Sequence, residues 1–118
     1  MDEQLEVKVA RTHPDAKLPT KGSEYAAGWD LYALEDTEVP FRQSMRLRTG
    51  LHVAIPVGYE GQVRARSSLG SKGLILPHSI GTIDADYRGE LFVLMTWIGE
   101  GGSYTVKAGE RIAQMLIS

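Results

Sequence analysis

Apolar and polar positions along this chain alternate with a period of two, and no stretch sustains a helical period. Leu5-Glu6-Val7-Lys8-Val9-Ala10 opens the pattern and predicts a strand with one wet face. Thr12 to Ser23 holds Pro14, Pro19 and Gly22 and reads as loop. In Tyr25–Ala33 the small residues before Gly28 permit close backbone approach. Trp29, Leu31 and Ala33 then alternate as a strand, with Asp30 on the opposite face. Thr37–Pro40 is a short segment that Pro40 confines to an edge or a strand end. From Met45 to Ile55 the alternation predicts one strand. Met45, Leu47, Thr49, Leu51, Val53 and Ile55 face one way, and Arg46, Arg48, Gly50, His52 and Ala54 the other. Pro56-Val57-Gly58-Tyr59 closes it as a turn.

Gln62–Arg66 is a further strand that delivers Arg66 to Ser67-Ser68-Leu69-Gly70. Leu74–Leu76 reads as a short buried strand, and Pro77–Ile80 as a loop. Leu91–Ile98 is almost continuously apolar, which predicts a strand buried on both faces or covered by a partner subunit. Gly99–Gly102 reads as a hairpin turn after which Ser103–Val106 pairs back. Lys107–Glu110 turns again, and Arg111–Ile117 is the last strand. Many short strands separated by Gly and Pro turns argue an all-β sandwich or barrel, in a single domain over residues 1–118.

Composition narrows the function classes. The chain has no cysteine, which removes disulfides, thiolate catalysis and cysteine-ligated metal sites and fits a reducing compartment. A formal net charge of -2 gives no basic footprint for a nucleic-acid polymer. Met1-Asp2-Glu3-Gln4 is acidic and polar with no apolar run behind it, so neither a signal peptide nor a membrane span is expected, and the expected location is cytoplasmic.

Chemistry concentrates in Gly81-Thr82-Ile83-Asp84-Ala85-Asp86-Tyr87-Arg88-Gly89-Glu90-Leu91. A calcium loop is excluded: its fifth ligand position would be Arg88 and its twelfth Met95. General-base chemistry fits better. Asp84 follows apolar Ile83, so at a strand end its carboxylate can face a cavity and activate a water. Tyr87 offers a ring to a flat or cyclic ligand. Arg88 either binds an anion or pairs with Glu90 or Asp86. A second cluster, Arg66-Ser67-Ser68-Leu69-Gly70, places a cation and two hydroxyls where a short helix would begin. That combination suits a phosphate, and Ser67 also suits an N-cap. Gln114 is a lone amide in an apolar strand and needs partners, either backbone groups or a ligand. Asp30 reads as a solvated strand charge or as a partner for a nearby arginine. His78 reads as a loop histidine with no second metal ligand at a suitable spacing.

In order along the chain, Ala27-Gly28-Trp29-Asp30-Leu31, Arg66-Ser67-Ser68-Leu69-Gly70, the Gly81–Glu90 stretch and Gly109-Glu110-Arg111-Ile112-Ala113-Gln114-Met115 resemble the four successive motifs of the homotrimeric deoxyuridine triphosphate nucleotidohydrolases, the dUTPases. The resemblance implies a jelly-roll-like β-barrel forming a homotrimer, with each active site between subunits. It implies hydrolysis of dUTP to dUMP and pyrophosphate, with Mg2+ held mainly by the triphosphate and waters and by no protein ligand directly. Carried over by position, Asp84 activates the water that attacks the α-phosphorus, and Tyr87 packs on the deoxyribose and leaves no room for a ribose 2′-hydroxyl. Arg66, Ser67 and Gln114 contact phosphates, and Ser68 adds a hydroxyl where relatives often carry glycine. Gly81, Ile83 and the segment before them form the uracil slot through backbone groups, with His78 where many relatives have asparagine. Asp30 and Arg88 stand behind these contacts, Asp30 near the metal waters or an arginine.

The family's glycine-rich C-terminal arm would follow the fourth motif, but the sequence ends at Ser118. Such an arm covers the triphosphate and adds cationic stabilisation, so the 118-residue form is expected to bind deoxyuridine nucleotides and turn over slowly. Two rivals remain. One is a dCTP deaminase relative, disfavoured because Asp84-Ala85-Asp86-Tyr87 stands where deamination uses a glutamate. The other is a nucleotide-sensing or partner-binding protein on the same fold.

Overall fold

The computed structural model describes residues 5–118, so the acidic start Met1–Gln4 lies outside the described residues. The strands are β1 (Lys8–Arg11), β2 (Thr20–Lys21), β3 (Trp29–Tyr32), β4 (Thr37–Pro40), β5 (Ser44–Arg48), β6 (Leu51–Ala54), β7 (Gly61–Ala65), β8 (Leu74–Ile75), β9 (Ile80–Ile83), β10 (Phe92–Trp97), β11 (Ser103–Val106) and β12 (Arg111–Ile117). One helical turn, α1 (Ser67–Gly70), interrupts them. The strands form four hydrogen-bonded groups: β1-β6, β5-β10-β8, β11-β4 and β2-β3-β12-β7-β9. The groups wrap one apolar core without closing into a continuous hydrogen-bonded barrel. Leu31, Val39, Leu47, Leu51, Leu74, Met95, Val106 and Ile112 are fully buried, so every group feeds the same core. Among the described residues no helix is long and apolar enough to cross a membrane.

Several elements differ from the sequence reading. The first strand begins at Lys8 instead of Leu5, and the loop after it contains the two-residue β2. The run from Met45 to Ile55 is two strands, β5 paired with β10 and β6 paired with β1. Gly50 makes the corner between them with φ 71°, a conformation that strains residues bearing a Cβ. The alternation survives the corner: Leu47, Thr49, Leu51, Val53 and Ile55 are all buried. The buried Thr49 hydroxyl stays satisfied by donating to Leu91 O at 2.8 Å, while Leu91 N donates to Leu51 O at 2.8 Å.

β10 is not buried on both faces within one chain. Val93, Met95 and Trp97 enter the core, whereas Phe92 is 41% and the following Ile98 52% exposed. β11 does not pair back on β10; it pairs with β4, with Tyr104 opposite Val39. The Gly99–Gly102 segment therefore changes sheets instead of making a hairpin. Trp97 holds its start, donating from Nε1 to Glu100 O at 3.2 Å and stacking on Tyr104 with ring centroids 5.1 Å apart.

Candidate functional site

One row of directly opposed residues crosses all five strands of the largest sheet. Thr20 faces Asp30, Asp30 faces Gln114, Gln114 faces Arg64 and Arg64 faces Ile80. Opposed residues share a face, so this row lies on one side of the sheet. The other side carries Leu31, Met115, Val63 and Ile83 into the core. Asp30 and Gln114, 84 positions apart in sequence, are thus neighbours. A register shift between Arg111 and Ala113 turns Arg111 onto the same side, where its Nη1 stands 3.5 Å from Asp30 Oδ2. The arginine-partner reading of Asp30 holds. Gly28 lies close to this amide: a Cβ there would stand 3.0 Å from Gln114 Oε1. Gln114 Nε2 has only a long bond, 3.4 Å, to Ala65 O, which leaves most of the amide for another partner.

Beyond the end of β7, Arg66 is extended (φ -89°, ψ 134°) and occupies the N-cap position of α1. Ser67 is therefore not the cap, because the helical turn starts one residue earlier than the sequence suggested. No side chain caps the turn. Its first backbone bonds run from Leu69 and Gly70 to Arg66 O, so the amides of Ser67 and Ser68 precede them. Both serines are exposed, while Leu69 is buried and anchors the turn.

Asp84 immediately follows β9, is exposed, and accepts no side-chain hydrogen bond among the described residues. With Thr82, Ile83, Tyr87, Leu91 and Phe92 it lines a cavity of about 200 Å³. A neighbouring cavity of about 390 Å³ shares Thr82, Ile83 and Phe92 and adds His78, Gly81 and Leu94. His78 lies against Gly81, where a Cβ would meet its Cε1 at 3.0 Å. A larger cavity of about 460 Å³ between Leu5, Val9, Trp29, Met115 and Ile117 has Glu6 as its one ionisable group among the described residues.

The loop after Asp84 is stiffly built. Tyr87 N donates to Asp84 O at 3.0 Å, and Tyr87 Oη donates to Glu90 O at 2.7 Å. Gly89 leaves room for that phenol, since a Cβ there would stand 2.6 Å from Tyr87 Oη. Arg88 pairs with neither Glu90 nor Asp86. Its Nη1 donates to Ala85 O (2.6 Å) and Tyr87 O (3.1 Å), closing its own turn. Glu90 instead receives Arg48 through two bonds, Nε at 3.1 Å and Nη2 at 3.0 Å, and Gly50 N at 3.2 Å. The hydrogen bond from Arg48 holds the Glu90 carboxyl below its ordinary range against the opposing effect of burial, and Gly50 N adds to the lowering. Glu90 in turn raises Arg48. His52 Nδ1 lies 2.6 Å from Arg88 O; a carbonyl can only accept, so Nδ1 carries the proton. Sequence reasoning missed these anchors. Alternation put Arg48 and His52 on a polar face, but nothing local announces partners 42 and 36 residues away.

The candidate residues fall into two groups within one chain. Asp30 and Gln114 face each other on β3 and β12, and Arg66, Ser67 and Ser68 follow the end of β7, the strand on the other side of β12. Gly81, Ile83, Asp84 and Tyr87 lie along β9 and beyond it, with His78 folded against Gly81. Ile83 faces Gly61 and Asp84 is one step past it, so Asp84 is level with Glu60, six residues from Arg66 or about 20 Å along the strand. Gly81 and Ile83 also share the face of Val63 and Gly61, opposite to that of Asp30 and Gln114.

The dUTPase family model matches residues 14–118. The deoxyuridine 5'-triphosphate nucleotidohydrolase of Syntrophotalea carbinolica is 48% identical over 117 residues, covering 97% of this chain and 79% of that protein. Its counterpart from Solibacter usitatus is 44% identical over 118 residues, covering 98% and 80%. Among solved structures, the Staphylococcus bacteriophage 80alpha dUTPase superposes with a TM-score of 0.88 at 26% identity, covering 96% of this chain and 89% of that one. Arriving at the same answer from motif order, strand arrangement and whole-length similarity, the chain belongs to the dUTPase family.

Proposed function

We propose that this protein hydrolyses dUTP to dUMP and pyrophosphate, as a single-domain homotrimer in the cytoplasm, at sites assembled from two copies. The observation that carries the reading is the Asp84 carboxylate, which accepts no side-chain hydrogen bond among the described residues and stands at the rim of a cavity it shares with Tyr87. In the proposed step a water oxygen bonds to the α-phosphorus as its proton passes to Asp84. The bond from that phosphorus to the bridging oxygen breaks, and pyrophosphate leaves with the electron pair. Tyr87 lies against the deoxyribose, while Gly81, Ile83 and His78 line the base slot. From another copy, Arg66, Ser67, Ser68 and Gln114 hold the phosphates. The separation of Asp84 from Arg66, about 20 Å along β7, supports a shared site. Arg88 braces the loop through its bonds to Ala85 and Tyr87.

The residues present fit a magnesium ion carried by the substrate. Among the described residues of one chain no three acidic or histidine groups converge, and Asp30 beside Gln114 stands on the proposed phosphate side, near the waters that such an ion would keep. Mg2+ typically keeps waters and takes one or two carboxylates plus substrate phosphates, and it would supply charge neutralisation on the triphosphate.

The test is pyrophosphate release from dUTP against dTTP, dCTP and UTP, with and without Mg2+. Selective, Mg2+-dependent release from dUTP is the expected result. Equal rates on all four would remove the proposed base and sugar contacts. Negligible release with nucleotide-dependent association to another protein would favour the binding-module reading.

A further inference from the structure

Asp84 and Tyr87 sit on the loop between β9 and β10, and that loop is held unevenly. At its C-terminal stem, Glu90 and Leu91 are fixed by Arg48, Thr49, Gly50 and Leu51. Those bonds also close the β5–β6 corner, so removing them would disturb the fold as well as the loop. Residues 84–89 hold themselves together through Tyr87 N to Asp84 O and Arg88 Nη1 to Ala85 O. Among the described residues, one hydrogen bond reaches residues 84–89 from outside the loop: His52 Nδ1 to Arg88 O at 2.6 Å. His52 is half-buried on β6, a strand paired to β1, and among the described residues this is the one hydrogen bond of its imidazole.

We infer that His52 is a positioning residue for this reaction: by holding the Arg88 carbonyl, it fixes the Tyr87 ring and the Asp84 carboxylate relative to the cavity they line. The inference rests on the proposed hydrolysis for its kinetic consequences, but the bond itself can be tested without substrate. Geometry sets the direction of the effect. Arg88 follows Tyr87 directly, and the Tyr87 phenol is tied to Glu90 O on the far side of Gly89. Freeing Arg88 O leaves the ring attached at one end only. A ring that no longer holds its place excludes a 2′-hydroxyl less well, so the loss falls on sugar discrimination. General destabilisation of the fold would not produce that loss.

The experiment compares His52→Ala and His52→Asn with the unaltered protein. Asparagine can place an amide donor near the position of Nδ1. Three quantities are read: trypsin cleavage after Arg88 in the native protein, the ratio of kcat/KM for dUTP over UTP, and the thermal unfolding midpoint. For His52→Ala, cleavage after Arg88 rises and the dUTP preference falls, each about tenfold, while His52→Asn restores both to within about twofold. Unchanged cleavage and preference in His52→Ala overturn the inference, as does a failure of His52→Asn to restore them. A midpoint that falls while cleavage and preference stay in place also overturns it, by making His52 merely structural. Should His52→Ala not fold, His52→Val, which suits a strand but lacks the donor, takes its place. If the unaltered protein releases no pyrophosphate from dUTP, the hydrolysis reading fails, and the trypsin comparison still decides the anchor.

Discussion

Asp84 and Glu90 lie six residues apart and do opposite things with the same functional group. Glu90 is saturated by a bidentate arginine and a backbone amide, whereas Asp84 is exposed and accepts no side-chain bond among the described residues. A carboxylate that accepts no such bonds keeps its lone pairs available for a water; one that accepts three fixes structure. Asp84→Asn is therefore expected to abolish pyrophosphate release and leave nucleotide binding within a few fold, since it keeps the shape and removes the base. Calorimetric titration with a non-hydrolysable dUTP analogue, beside a turnover assay, checks both halves. Retained full turnover would take the role of base away from Asp84. Glu90 makes a prediction about pH instead. Its folded carboxyl lies below the ordinary value of 4.5, chiefly through Arg48, so its contribution to stability is present above that value and is lost as pH falls through the lowered folded value. Unfolding midpoints recorded from neutral down to about pH 3 should converge for wild type and Glu90→Gln at the acid end. Tyr104 shows the reverse sign at the other extreme. Burial, then the bond to Glu110, pushes its phenol up to about 12 from 10.0, so its contribution is complete below pH 10.0 and is lost as the pH climbs through the folded value.

At the scale of elements, the β5–β6 corner decides where the acidic loop stands. Thr49 and Gly50 turn the chain there, and both the hydroxyl and an amide of that corner bind the stem of the loop. Gly50→Ala meets two penalties. The φ of 71° disfavours a Cβ, and that Cβ would lie 2.8 Å from the Cβ of buried Ala16. Gly101 has φ 86° but open space around it, so Gly101→Ala meets the backbone penalty alone. Gly50→Ala should cost about 1–3 kcal/mol more than Gly101→Ala in denaturant unfolding, and equal costs would show that the corner has room to adjust. The same corner explains why the alternating Met45–Ile55 run misled as to strand number. Inward and outward positions continue through the bend, so the hydrophobic pattern carries no mark of it, and only Gly50 signals that a turn is possible. The Ser103–Val106 strand misled for a different reason. Its alternation predicts a strand correctly, but Gly99–Gly102 is flexible enough to carry it to either of two sheets, and the Trp97–Tyr104 contact settles the choice in three dimensions.

For the molecule as a whole, the residues proposed to act on one substrate are split between two regions of the chain. The distance of about 20 Å along β7 between the levels of Asp84 and Arg66 supports the proposed sharing of one triphosphate between copies. The open apolar residue Phe92, 41% exposed beside the cavity, is compatible with contact to another copy. A complementation experiment follows. Asp84→Asn and Gln114→Ala, each inactive or nearly so alone, are dissociated together and allowed to reassemble. Recovery of dUTP hydrolysis in the mixture is the expected outcome, because some sites then combine an intact Asp84 with an intact Gln114. Absence of recovery, with mixed oligomers verified by mass, would return the whole site to one chain.

From residue order alone came the all-β class, the single core, the positions of the polar clusters and, through the four ordered motifs, the family. These are readable because side-chain period, turn residues and short motifs are local properties of a chain. Tertiary structure alone decided that Asp30 lies beside Gln114, that Glu90 belongs to Arg48 and not Arg88, and that His52 reaches the Arg88 carbonyl. Each of those is a pairing across roughly 36 to 84 positions of sequence. Such pairings are fixed by strand register and sheet order, which depend on how every apolar face finds cover at once.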